Sequence, residues 1–187
     1  MKEKKTLTAG SLLISKPLIG DGFFEQSVVY LTLHDQEGSL GFTLNKSSSL
    51  IAADVIDDLE GKDTIYYGGP VEQDGLFYLH AYENIPGATP VGNGLFLGGD
   101  FELFQQALRT ARILSKDSPG PKLFLGYSGW SAGQLEQELR QDTWIVVPPP
   151  LDLHPLEIQD EAWREMMTRL GGEFALWANA PEDPLLN

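Results

Sequence analysis

The chain of 187 residues contains no cysteine. This absence excludes disulfides, thiolate metal sites, iron–sulfur clusters and a cysteine nucleophile, and it suits a reducing compartment. The sequence also lacks any apolar run near the roughly 20 residues that a membrane-spanning helix needs, and no apolar signal segment follows the first lysines. We therefore expect a soluble cytoplasmic protein with no membrane partner.

Positive charge is scarce as well. There are 13 Lys and Arg against 27 Asp and Glu, which gives a formal net charge of −14. Affinity for nucleic-acid phosphates comes from clustered Lys and Arg, and the one basic cluster here, MKEKK, is more typical of a solvated terminus. Direct nucleic-acid binding is therefore not expected.

The composition indicates a single mixed domain. A hydrophobic content of 42% in a chain of this length is enough for a real core, while 20 Gly and 12 Pro indicate many turns. No internal repeat or linker-like change of composition occurs. We predict one domain over residues 1–187, with a loose N-terminus over residues 1–8 and a loose tail from about residue 178.

Apolar alternation and turn residues predict most of the secondary structure. The firmest prediction is a hairpin, with strands at 27–34 and 39–45 joined by the turn DQEG. Asp100 is placed to cap a helix that continues to Leu114. Further strands are predicted at SLLISK, TIYYG, GLFYLHA, GLFLGG, KLFLGY and TWIVV, with turns around GGPVEQDG and further helices at 51–59, from about 132, and at 158–170.

The order of these elements indicates the fold class. The early strands come as hairpins, which favours an α+β fold with a largely antiparallel sheet. Strands and helices alternate later in the chain, so a three-layer α/β fold is the alternative.

The stretch GYSGWSAGQLEQEL, residues 126–139, carries the densest motif. A hydrolase elbow needs Gly-x-Ser-x-Gly, but Trp130 stands where the second glycine should be, so Ser128 is a poor candidate nucleophile. No Gly-x-Gly-x-x-Gly or Walker loop is present either. The stretch is therefore neither a hydrolase elbow nor a recognised phosphate loop.

Glycines in this stretch, Gly126, Gly129 and Gly133, surround a predicted strand-to-helix junction, where backbone amides could face a ligand. Glutamates in the first turns of the following helix would repel an anion there. Close packing around Tyr127 and Trp130 is the favoured interpretation of the glycines, and a ligand cradle is the alternative.

Two histidines, His34 and His80, each end a predicted strand and could meet Asp35 or Asn45 at one edge of the sheet. No His-Glu-x-x-His pair is present, so we expect no metal and no cofactor. A hydrolase that uses His34 or His80 as base, oriented by Glu136 or Asp35, is the alternative to a binding function.

Three segments in order, DGFFEQSVVYLTLHDQEGSLGFTLN, GGPV followed by LFYLH, and GYSGW with GQLEQEL, resemble the AlgH-like family of bacterial proteins, also called YqgE. The resemblance covers about residues 10–144. It implies a bifurcated sheet curled into a pseudo-barrel with helices outside, and no established activity. Members are often labelled transcriptional regulators, from a link to alginate control.

The resemblance also marks positions that recur in the family. In addition to Gly68, Gly69 and Pro70, these give our candidate ligand-binding residues: Asp21, His34, Asn45, His80, Gly126, Tyr127, Gly129, Trp130, Gly133, Gln134 and Glu136. Members usually have Ala at position 128 and Gly-Pro at 131–132, where this chain has Ser and Ser-Ala. We predict a non-catalytic binding or regulatory protein, with a small ligand or a protein as its partner.

Overall fold

The computed structural model describes residues 7–17, 22–57, 59, 61–114 and 119–178. The predicted loose ends lie mostly outside these ranges, as do the MKEKK cluster and the candidate residue Asp21.

Within the described residues, ten strands form one sheet that curls into a half-barrel. The strands are β1 (Leu12–Ser15), β2 (Val28–His34), β3 (Gly38–Thr43), β4 (Ser47–Ile51), β5 (Thr64–Tyr67), β6 (Val71–His80), β7 (Thr89–Pro90), β8 (Phe96–Leu97), β9 (Lys122–Ser131) and β10 (Trp144–Val147). The helices in the same ranges are α1 (Ala52–Val55), α2 (Phe101–Leu114), α3 (Gln134–Arg140), α4 (Ala162–Leu170) and α5 (Glu173–Trp177), with a 3-10 turn at Pro155–Glu157.

The main path of the sheet runs β10-β1-β2-β3-β9-β6-β8-β7. Every pairing along it is antiparallel, and β5 pairs with β9 in parallel. The predicted α+β class is thus confirmed. The predicted hairpin is confirmed as β2 and β3, whose turn is closed by the Asp35 carboxylate, which accepts from the backbone N–H of Glu37 at 2.8 Å.

The sheet bifurcates at β9. One edge of this strand pairs with β5 over residues 123–125 and then with β3 over residues 128–131, while β6 lies on the other edge. Because one strand joins both branches, β9 positions the residues of the motif that ends it.

Three apolar clusters hold the helices against the sheet. The largest lies under α4 and α5 and includes the fully buried Trp163; a second packs α2 against β9, and a third packs α3 against β1 and β2. Asp100 caps α2 as predicted, because its carboxylate accepts from the backbone N–H of Leu103 at 2.9 Å.

Four local predictions are wrong in extent. The helix expected at 51–59 is only α1, because Ile51 ends β4 and Ile56 is extended. The turn expected at GGPVEQDG lies partly inside β6, which begins at Val71. The helix expected from residue 158 begins at Ala162, because Ile158 is extended. The strand expected at KLFLGY is longer than predicted and continues through the expected strand-to-helix junction to Ser131.

Candidate binding site

Strand β9 carries most of the motif, and Gly126 bends it. Gly126 has φ of +69°, and a Cβ on it would lie 2.6 Å from the carbonyl oxygens of Gly69 and Val71. A Cβ on Gly69 would lie 2.0 Å from the carbonyl oxygen of Tyr127. These glycines allow two backbone segments to touch, and the bend places Tyr127 on the face that Phe124 also occupies.

Trp130 points to the opposite face, where α3 covers it. Its indole N–H donates to the Glu138 carboxylate at 2.9 Å, and the indole of Trp144 donates to the same oxygen at 2.8 Å. The second Glu138 oxygen accepts from the Gln134 amide at 3.0 Å. The side-chain oxygen of Gln134 (Oε1) in turn accepts from the backbone N–H of Ser131 at 3.0 Å. Trp130 and Gln134 therefore hold α3 on the sheet.

Glu138 is the residue of this network that sequence reasoning missed. Its position in GQLEQEL indicated only a solvated helix face. The network was not predictable, because the two indole donors come from separate strands, β9 and β10. The spacing of eight residues from Trp130 was the one available signal.

His34 and Glu136 are brought together on the same covered face. The Nδ1 atom of His34 lies 2.8 Å from the Ser39 hydroxyl, and its Nε2 atom lies 3.8 Å from a Glu136 carboxylate oxygen. The second separation is longer than a hydrogen bond. Asp35 instead uses its carboxylate within the hairpin turn.

His80 lies apart from the motif and is a core residue. It is fully buried; its Nε2 lies 2.9 Å from the carbonyl oxygen of Gly98, and Nδ1 accepts from the N–H of Tyr82 at 3.2 Å. Burial lowers the pKa of His80, against smaller opposing effects of these hydrogen bonds. Its neighbour Leu79 pairs with Lys122 of β9. Lys122 is eight residues before Trp130, which corresponds to about 26 Å along a strand, so His80 lies far from the motif.

Asn45 is also a structural residue. Its side-chain oxygen accepts from the N–H of Val28 at 2.7 Å, and its amide donates to the carbonyl of Gln26 at 2.8 Å. The structure therefore does not bring Asn45 and His80 together with the motif, because the strand order sends them to other parts of the sheet.

Ser128 is fully buried, and its hydroxyl donates to the carbonyl of Gly68 at 2.9 Å. It has no access to a substrate. Gly133 has φ of +75° and directly precedes α3, so its left-handed backbone leads the chain from the end of β9 into the helix.

An open groove lies beside Tyr127, on the face of the sheet opposite to α3. It has a volume of ≈ 400 Å³ and is bounded by Leu33, Asp35, Glu37, Gly38, Ser39, Leu40, Val71, Tyr127, Gly129, Trp130 and Ser131. Leu33 pairs with Leu40, and Leu40 pairs with Gly129, so these positions share one face of the sheet. We call this surface the Tyr127 groove; three of the predicted residues, Tyr127, Gly129 and Trp130, border it.

Lys122, at the start of β9, is a second residue that sequence reasoning missed. It is only 3% exposed, its Nζ donates to the carbonyl of Leu44 at 3.0 Å, and it lies 3.4 Å from the ring centroid of Tyr66. Burial lowers the pKa of Lys122 to about 7, although the nearby Asp160 carboxylate acts in the opposite direction.

Lys122 is expected to make stability depend on pH. Between pH 7 and 9.5 the unfolded chain holds a proton on this amine that the folded chain does not, so the free energy of unfolding should rise with pH, by about 3 kcal/mol. Urea unfolding at several pH values measures this rise. It should be missing in Lys122→Met and kept in Lys62→Met, which changes an exposed lysine; an equal rise in all three proteins would contradict the assignment.

Two further observations concern membranes and metals. None of the helices in the described ranges is both long and apolar enough to cross a membrane. In those ranges, no three His, Asp or Glu side chains form a group that could hold a metal ion.

The bifurcated, mostly antiparallel sheet with its outer helices makes this a small α+β protein. The chain belongs to the AlgH-like family, whose model matches residues 12–175. This confirms the resemblance of the sequence motifs.

Relatives and solved structures agree with this assignment. The chain is 37% identical to a UPF0301 protein of Bacteroides fragilis over 95% of this chain and 90% of that protein, and 35% identical to one of Cytophaga hutchinsonii over 97% and 100%. The solution structure of the AlgH protein from Pseudomonas aeruginosa matches with a TM-score of 0.67 at 28% identity, over 97% of this chain and 98% of that one. The protein DIP2367 of Corynebacterium diphtheriae shares the fold, with a TM-score of 0.73 at 21% identity over 95% of both chains.

Proposed function

We propose that this protein is a non-catalytic binding protein of the cytoplasm that acts in regulation through the Tyr127 groove. The observation that carries the proposal is the groove itself, which is open, has a volume of ≈ 400 Å³ and lies next to the family motif. Concave surfaces that combine an aromatic side chain with a few polar groups are typical of binding sites. A small ligand or a protein partner would contact Tyr127 there.

The motif residues around the groove support binding rather than chemistry. Ser128 is buried, and its hydroxyl donates a hydrogen bond to a backbone carbonyl. The Glu138 carboxylate accepts hydrogen bonds from two indoles. Tyr127, by contrast, is half-buried, with its ring packed edge-on against Phe77 at a centroid distance of 5.6 Å. A rigidly held aromatic ring at an open surface is a common anchor for a partner.

Native mass spectrometry of freshly purified protein, followed by a thermal-shift screen of metabolites, tests the proposal. A compound that raises the Tm of the wild type should bind Tyr127→Ala at least about tenfold more weakly, since anchors of this kind contribute about 2 kcal/mol. Tyr67→Ala is the matched control, because Tyr67 is an exposed tyrosine outside the groove. Binding that is equal in both variants would contradict the proposal.

A hydrolase is the second candidate, because His34 lies between a hydroxyl and a carboxylate. Ser39, His34 and Glu136 have the composition of a catalytic triad, with separations of 2.8 Å and 3.8 Å. The hydroxyl meets Nδ1 rather than Nε2, and Ser39 is buried, so binding remains the preferred function.

Hydrolysis of p-nitrophenyl acetate separates the two candidates. If the protein only binds, the wild type and Ser39→Ala should hydrolyse the ester at the same slow rate. A hydrolase that uses Ser39 would lose at least about 100-fold in the variant. Such a loss would favour the second candidate over the first.

A further inference from the structure

We propose that the Tyr127 groove accepts an extended segment of a basic protein partner, which adds as a strand to the edge of β9 at residues 129–131. The inference rests on the proposed function, because it names the partner class for the same groove. It follows from the edge of the strand, the shape of the groove and the charge around it.

The edge of β9 is available for pairing. Among the described strands, β6 reaches this edge no further than the pair of Val71 with Tyr127. The N–H of Ser131 donates to the Gln134 side chain and so points away from β3. Because backbone groups alternate along a strand, the N–H and C=O of Gly129 point to the same edge as those of Ser131. The backbone groups of Gly129, unlike the N–H of Ser131 that Gln134 already accepts, are of the kind that an added strand pairs with.

The groove leaves room for a backbone beside this edge. A Cβ on Gly129 would lie 3.2 Å from the ring of Tyr127, so the glycine keeps the approach open. Leu33 is 49% exposed and lies on the same face as Leu40, and Val71 borders the other side. Alternate side chains of an added strand would contact these apolar residues.

Charge selects a basic partner over an acidic one. The two segments that border the groove on either side of β9, 33–40 and 71–77, contain four carboxylates and no lysine or arginine. They are Asp35, Glu37, Glu72 and Asp74. With a net charge of −14 on the whole chain, lysine and arginine side chains would be attracted and anionic partners repelled.

Calorimetric titration with two blocked hexapeptides tests this inference. One alternates valine and lysine, and the other alternates valine and glutamate. We expect the lysine peptide to bind at least tenfold more tightly at low salt, with an affinity that falls as salt is added.

Two variants of the protein locate the binding. Gly129→Pro removes the N–H at the open edge without touching the pairing with β3 and should weaken the lysine peptide at least tenfold. Glu37→Lys combined with Glu72→Lys changes two exposed carboxylates and should reverse the preference between the peptides, which keeps the test valid if the proline variant folds poorly. Gln137→Ala, on the outer side of α3, is the control and should bind as the wild type does.

Equal binding of the two peptides, or binding unchanged in both variants, would overturn the inference. If neither peptide binds while a metabolite depends on Tyr127 in the thermal-shift screen, strand addition is wrong and the proposed function stands. If neither peptide binding nor metabolite binding depends on Tyr127, both the strand-addition inference and the proposed function are wrong.

Discussion

Gly69→Ala is expected to lower the free energy of unfolding by about 3 kcal/mol or more. The added methyl carbon would lie 2.0 Å from the carbonyl carbon and oxygen of Tyr127 and 2.2 Å from the backbone nitrogen of Ser128. These are backbone atoms in the strand that joins both branches of the sheet, so no side-chain rotation relieves the contact. Guanidinium unfolding followed by tryptophan fluorescence measures the loss.

Gly120→Ala is the matched control for this change. The nearest atom to its added methyl, a carboxylate oxygen of Asp63, is 3.9 Å away, which is an ordinary contact. Its stability should stay within about 0.5 kcal/mol of the wild type. If the two variants were equally stable, the close approach of Gly69 to β9 would not exist in solution.

Glu138→Ala has the second largest expected effect, a loss of about 3 kcal/mol. Trp130 and Trp144 are 5% and 4% exposed, and both of their indole N–H groups donate to this carboxylate. Without it, two buried donors lose a charged acceptor, and each such hydrogen bond contributes about 1.5–3 kcal/mol. Urea unfolding measures the change, and the fluorescence spectrum of the folded state should shift as the two indoles lose their acceptor.

Two comparisons separate this network from a general effect on α3. Glu138→Gln keeps one side-chain oxygen as an acceptor and should lose roughly half as much as the alanine variant. Gln137→Ala changes an exposed neighbour on the same helix and should cost no more than about 0.5 kcal/mol. A similar loss in Glu138→Ala and Gln137→Ala would contradict the role of Glu138.

The elements that were predictable from the sequence are those with local causes. The β2–β3 hairpin follows from alternating apolar residues around a turn that Asp35 closes, and α2 follows from its apolar spacing and the Asp100 cap. The length of β9 was not predictable, because the glycines of its motif looked like a turn. They are tolerated in a strand here because Gly69, distant in sequence, packs directly against it.

The candidate site was predictable only in part, for the same reason. Tyr127 and Gly129 are close in sequence and share the groove, and the pairing of His34 with Glu136 was a stated possibility that the structure places at 3.8 Å. Asn45 and His80 were expected at the same place because each ends a strand. The order of the strands in the sheet decides which strand ends meet, and that order depends on long-range contacts that local sequence patterns do not reveal.

The account depends most directly on the Tyr127 groove as the surface that contacts a partner. A titration of ¹⁵N-labelled protein with the alternating valine and lysine peptide, followed by amide chemical shifts, tests it. The account predicts the largest shifts at Val71, Gly129 and Ser131, with little change in α4. Shifts concentrated in α4, or no shifts at millimolar peptide, would contradict it.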